Sequence, residues 1–160
     1  MRFIPYNTND ADKVLKMLAR HFDYTPELAS ADNNQSNIDY FREAYCEDGY
    51  SGVCYVLKED DESVLGILEA AKYVGNKGGS CWYITSLFVL AGEEADTRAK
   101  HMIDLFCKSL HESKEICANV HPGAEKAAHF WTSIGFYPMP ERSIFSNSEN
   151  QRLIAYGKEL

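Results

Sequence analysis

ANVHPGAEKAAHFWTSIGFYP, residues 118–138, reads as a strand, a tight turn, a helix and a stop. Ala124, Ala127, Ala128 and Trp131 recur at spacings of three and four, which places them on one helical face. Pro122 and Gly123 stand before that helix and Gly135 just after it. Proline is tolerated before or within a first turn, and glycine takes the left-handed conformation that closes a last one. Phe136 then resumes an extended, buried segment.

Toward the N-terminus, the strand Glu115–Val120 follows a helix whose Ala99, Met102, Ile103, Phe106 and Leu110 share a face. His111 and Lys114 stand near its negative end. The loop AGEEAD leads into that helix from Cys81–Leu90, whose aromatic and branched residues suit a central strand. Before it come strands at Val53–Glu59 and Val64–Val74, joined by the turn EDDES, and a hairpin turn at Asn76–Gly79. Met1–Tyr6 reads as a short strand, and Thr8 or Asn9 is placed to cap a helix with Ala11, Val14, Leu15, Leu18 and Phe22 on its apolar face. Asp23–Gln35, polar and interrupted by Pro26, is expected as a loop or broken helix before a second helix carrying Ile38, Phe41 and Tyr45. Beyond residue 138, two more strands are expected around Ser143–Phe145 and Arg152–Tyr156. The order is β, α, α, β, β, β, α, β, α, β, β.

The 160 residues, 45% of them hydrophobic, suffice for one domain with a substantial core. MRFIPYNTND lacks the apolar run of a signal peptide, and no segment approaches the roughly 20 apolar residues that span a bilayer, so no membrane partner is expected. A formal charge of −8 without a basic block argues against a nucleic-acid partner and favours a cationic one. Five cysteines without a C-x-x-C pair or metal-ligand spacing point to a reducing cytoplasm and to no metal site. His21, His101, His111 and His129 form no metal motif with a carboxylate.

The spacing of Ala127, Phe130, Trp131, Gly135 and Phe136 resembles the A-x-x-F-Y-x-x-x-G-F ending of the GCN5-related N-acetyltransferase (GNAT) superfamily. The element order is also that of the superfamily, and it covers essentially the whole chain. The resemblance implies an α/β (α+β) acyl-CoA N-acyltransferase fold in one domain, 1–160, with a mixed central sheet of about seven strands flanked by four helices. It implies acetyl-CoA or coenzyme A as the acyl donor, bound where the fourth and fifth strands splay, against the backbone of Leu87, Phe88 and Val89.

The family's cofactor loop, R/Q-x-x-G-x-G/A, cradles a pyrophosphate on backbone N–H groups at a helix N-terminus. Glu94, Ala95, Asp96, Thr97, Arg98 and Ala99 fall at those positions, and only Ala99 fits. Thr97 replaces a glycine that would admit close backbone approach, and Glu93, Glu94 and Asp96 bring negative charge that Arg98 and Lys100 offset in part. A solvated loop with an acidic helix start accounts for the same residues. Trp131 stands where the family has a thiolate-protonating tyrosine, Ala124 where many members have an asparagine toward the pantetheine arm, and Thr85 where a glutamate base is frequent. An indole N–H does not usefully transfer its proton. The replacement bases are Glu69 on the preceding strand and His121 after the fifth, each of which also reads as an ordinary solvent-facing residue.

Two functions follow from different classes. One is an N-acetyltransferase acting by direct transfer to an amine on a small molecule or a protein. The other is a catalytically silent GNAT-fold binding or interaction module, with a homodimer as one form it takes.

Overall fold

The computed structural model describes residues 1–22, 52–74, 80–111, 113–144, 146 and 150–160. The strands are β1 (Arg2–Pro5), β2 (Gly52–Lys58), β3 (Val64–Val74), β4 (Ser80–Val89), β5 (Glu115–Val120), β6 (Tyr137–Pro138) and β7 (Ile154–Glu159). Among the described residues the α-helices are α1 (Ala11–Phe22), α2 (Ala95–Ser109) and α3 (Glu125–Ser133). The expected helix carrying Ile38, Phe41 and Tyr45, the segment Asp23–Gln35 and the turn Asn76–Gly79 lie outside the described residues.

Hydrogen bonding orders the seven strands β1-β2-β3-β4-β5-β7-β6. The sheet is mixed: β4 and β5 run parallel, whereas β1 with β2, β5 with β7 and β6 with β7 are antiparallel. The chain divides into two compact units, Met1–Glu69 with Ser86–Leu105 and Ala70–Thr85 with Phe106–Leu160.

In the first unit, α1 turns Ala11, Val14, Met17 and Leu18 onto Cys54, Val56, Val64 and Ile67 of β2 and β3. Its start differs from expectation. Asn7, rather than Thr8 or Asn9, supplies the cap: its side chain accepts from the Asn9 N–H at 2.9 Å and opens a single 3-10 turn, Thr8–Asp10, before α1. Asp10 is thereby buried, and Lys58 Nζ from the end of β2 meets its Oδ1 at 2.7 Å. The turn after β2 closes through Asp61, which accepts from the Ser63 N–H at 2.9 Å and hydroxyl at 2.6 Å. Those two bonds hold the exposed Asp61 carboxyl below its ordinary value.

In the second unit, Trp131 of α3 is buried against Phe136 at 4.8 Å and Phe130 at 5.3 Å between ring centroids. Gly135 ends the helix at φ +89°, a conformation a side chain resists, and Phe136 N–H returns to Trp131 O at 3.0 Å. β6 follows, pairing Tyr137 with Gly157 and Pro138 with Tyr156. The strand expected around Ser143–Phe145 is absent at Ser143 and Ile144. Pro140 opens a 3-10 turn over Pro140–Arg142, and Ser143 is tied to β7 through its side chain, the Ala155 N–H donating to Ser143 Oγ at 2.9 Å. Ser146 makes one isolated bridge to Arg152, and the last strand lies at Ile154–Glu159, two residues beyond the expected start.

Candidate functional site

In the first unit, the site is built where β4 runs into α2. Leu90 N–H donates to Leu65 O of β3 at 2.7 Å. Strand alternation turns the backbone polar groups of Phe88 to that same side and those of Leu87 and Val89 to the opposite side. All three residues are half-buried. The chain then reverses through Gly92, at φ +138°, where an added Cβ meets nothing within 4 Å.

α2 begins at Ala95, so the last two residues of the AGEEAD stretch expected as loop, Ala95 and Asp96, already belong to the helix. Ala95 N–H is taken by Gly92 O at 3.1 Å and Arg98 N–H by Glu94 O at 2.9 Å. Asp96 and Thr97 lie between them in the first turn, where helix geometry gives an N–H no intrahelical acceptor. Thr97 and Lys100 are exposed, while Ala99 is buried and faces the core with Met102 and Ile103.

Arg98 folds back along its own helix. Its Nη2 reaches Glu94 Oε2 at 2.6 Å and its Nη1 the Leu90 carbonyl at 3.4 Å, while Nε is buried without a hydrogen-bond partner. The Arg98 side chain is thus 16% exposed beside a Glu94 side chain that is 73% exposed. Glu93, Glu94 and Asp96 all face solvent. Glu69, on β3 of the same unit, is buried.

In the second unit, the β4–β5 ladder covers Trp82↔Ile116, Tyr83↔Cys117 and Ile84↔Ala118. Thr85, the next residue of β4, is exposed. On β5, Asn119 follows the ladder, and its Oδ1 is buried without a hydrogen-bond donor. His121 is exposed at the strand's end, its carbonyl accepting from Ala124 N–H at 3.0 Å. Ala124 is the N-cap of α3 with no side-chain cap bond and is half-buried. The indole of Trp131 is buried in the aromatic cluster described above.

Sequence reading passed over a second constellation in this unit. Cys81, Glu115 and Cys117 bring three donor atoms within 4.8 Å of one another. Arg142 holds Glu115 through Nε to Oε1 at 2.9 Å and Nη2 to Oε2 at 2.7 Å, an ion pair that raises the guanidinium above its ordinary value. Tyr83 donates its hydroxyl to the Arg142 carbonyl at 2.9 Å, and burial pushes its phenol well up. The hydrogen bond with Cys81, followed by burial, holds the Cys117 thiol far above its usual range. In the first unit, burial alone pushes the Cys54 thiol to about 12. The available sequence signal was one cysteine near the start of each of two strands that turn out to be neighbours.

The strand order, with its parallel β4–β5 pair followed by α3 and the returning β6 and β7, is the fold of the GCN5-related N-acetyltransferases. Solved structures match it over nearly the whole chain. An acetyltransferase from Thermus thermophilus aligns at TM-score 0.72 and 14% identity, covering 99% of this chain and 96% of that one. The aminoglycoside 6'-N-acetyltransferase from Enterococcus faecium gives 0.67 and 11%, covering 99% and 97%. NAA60 of Arabidopsis thaliana, in complex with a bisubstrate analogue, gives 0.60 and 16%, covering 99% and 96%. No family model matches the sequence, and no curated protein matches it.

Proposed function

We propose that residues 1–160 act as one domain, an acetyl-CoA-dependent N-acetyltransferase of the reducing cytoplasm that passes its acyl group directly to an amine acceptor. The observation that carries this reading is the first turn of α2, placed directly after β4, with the Asp96 and Thr97 amides lacking intrahelical acceptors. Such amides suit a diphosphate. The buried, unpartnered Nε of Arg98 adds a donor that an anion could complete. The residues therefore fit the group, although the exposed carboxylates around them make its binding weak.

When bound, acetyl-CoA would supply an activated thioester carbonyl and, in coenzyme A, a thiolate leaving group. Leu87 and Val89 would offer strand backbone to the pantetheine arm, and the Asp96 and Thr97 amides would fix its phosphate end. Glu69 is the base proposed to take the proton of the attacking amine, with His121 as the other candidate. Trp131 holds its indole proton, so protonation of the departing thiolate falls to solvent or to the acceptor's own ammonium. Binding geometry is then the main source of rate, since orientation can supply about 7–11 kcal/mol of a barrier.

Calorimetric titration with acetyl-CoA tests the reading. The expected dissociation constant is about 10–1000 μM, or about −7 to −4 kcal/mol. Arg98→Glu weakens binding. Glu94→Arg strengthens it, because it removes a carboxylate and also releases the Arg98 guanidinium from its 2.6 Å ion pair. With an acceptor in hand, Glu69→Gln or His121→Ala lowers the steady-state rate by about 100-fold or more, as loss of a general base does. No heat from wild type and Glu94→Arg at millimolar acetyl-CoA transfers the fold to the binding-module reading.

A further inference from the structure

The geometry points to a zinc site, independent of acyl transfer, in which Cys81 of β4 and Cys117 and Glu115 of β5 are the three protein ligands. Sequence spacing gives no hint of it because the ligands come from neighbouring strands. Cys81 Sγ lies 3.3 Å from Cys117 Sγ, and Cys117 Sγ lies 3.6 Å from Glu115 Oε1. Tetrahedral zinc with Zn–S of about 2.3 Å and Zn–O of about 2.0 Å separates its donors by about 3.8 Å for two sulfurs and about 3.5 Å for sulfur and oxygen. The two Cys117 distances match those separations to within about half an ångström, and the third side, from Cys81 Sγ to the Glu115 carboxylate, is no longer than 4.8 Å.

The surroundings fit a thiophilic dication in three further respects. Two thiolates and a carboxylate carry three negative charges, and Arg142 with Zn²⁺ returns three positive ones, so the buried cluster closes neutral. Arg142 orients the Glu115 carboxylate from outside through two hydrogen bonds, the role an outer partner plays for a metal-ligating carboxylate. Gly157 of β7 leaves the room: a Cβ there would meet Cys117 Sγ at 3.0 Å and Met139 Sδ at 2.3 Å. A thioether therefore borders the thiols, and soft sulfur donors select zinc over hard cations. On binding, two S–H bonds break, two Zn–S bonds form and both protons leave to solvent. The fourth position is open to water on the Glu115 side, where that side chain is 15% and Arg142 39% exposed.

The test is cobalt(II) titration of the full chain, reduced with a phosphine and kept free of oxygen. The expected result is a thiolate-to-cobalt charge-transfer band that saturates at one equivalent and is abolished by one equivalent of Zn²⁺. The band persists in a Cys46→Ala, Cys54→Ala, Cys107→Ala protein and is lost in Cys117→Ser. Glu115→Gln lowers zinc affinity in competition by at least about 10–100-fold, the loss known for outer partners of a ligand. Absence of the band in wild type overturns the proposal. So does its disappearance from the triple-alanine protein when circular dichroism shows that protein folded, which would place the signal on the other cysteines. A Cys81–Cys117 disulfide that survives the phosphine, identified by peptide mass mapping before any metal is added, overturns it as well.

Discussion

Replacing Lys58 by methionine isolates the one buried ion pair of the first unit whose two partners, among the described residues, are both nearly sealed from water. Lys58 is 6% exposed and Asp10 9%, with 2.7 Å between Nζ and Oδ1. The methionine fills most of the lysine stem's volume, so the loss is electrostatic and not a cavity. It leaves the Asp10 carboxylate buried with Lys13, among the described residues, as the cation still within 4 Å, 3.9 Å away on a side chain 45% exposed. Breaking a buried pair by removing one partner costs about 3–5 kcal/mol, and the residual attraction of Lys13 places this case near 3 kcal/mol. Asp10→Asn costs less, because Lys58 keeps Glu62 at 3.2 Å. The double variant has no orphaned charge, so the two losses do not add: a coupling of about 1–3 kcal/mol is expected. Urea unfolding of the four proteins, with m unchanged, measures it. A Lys58→Met cost under about 1 kcal/mol, or strict additivity, refutes the claim that burial makes this pair strong.

Ala127→Leu on half-buried α3 lowers stability by overpacking, by about 1 kcal/mol, the small end of the range for added methylenes in a packed site; an unchanged urea midpoint would mean that Ala127 faces solvent and that the helix phase is wrong. Ser63→Ala removes the 2.6 Å hydroxyl bond to Asp61 and leaves the amide bond. The Asp61 carboxyl should then titrate higher by NMR yet stay below its ordinary value. Since that carboxyl is depressed in the folded state, its contribution is present above the ordinary Asp value of about 3.9 and is lost as pH falls through the folded value. The variant's deficit therefore exists at neutral pH and shrinks in acid, and a deficit that grows in acid contradicts the assignment.

The last third of the fold was the most legible because its signals are local. The alanines, the aromatic pair and Gly135 act within a few residues of one another, and φ +89° at Gly135 is the physical content of that glycine. Ser143 misled because its extended-looking neighbours follow Pro140, and a side-chain hydroxyl does the tethering that a ladder was expected to do. Asn7 was missed as a cap because the 3-10 turn it opens is too short to leave a periodic pattern. The cofactor-loop positions were readable as residue types, but not the folding of Arg98 onto Glu94, which depends on a rotamer. The cluster of Cys81, Glu115 and Cys117 was out of reach, since the register that joins residues 36 positions apart is fixed by strand pairing.

The inward fold of Arg98 changes what an approaching anion encounters. With that guanidinium drawn onto Glu94, the outward charges at the head of α2 are Glu93, Glu94 and Asp96 against Lys100, on a chain whose net charge is −8. A polyphosphate would arrive against the field and find favourable amides only at contact. Screening, with a Debye length of about 10 Å at 0.1 M salt, would relieve that repulsion while leaving the short-range amide contacts largely intact. Affinity for such a ligand should therefore rise with ionic strength, the reverse of the usual behaviour of proteins that hold phosphates with basic side chains.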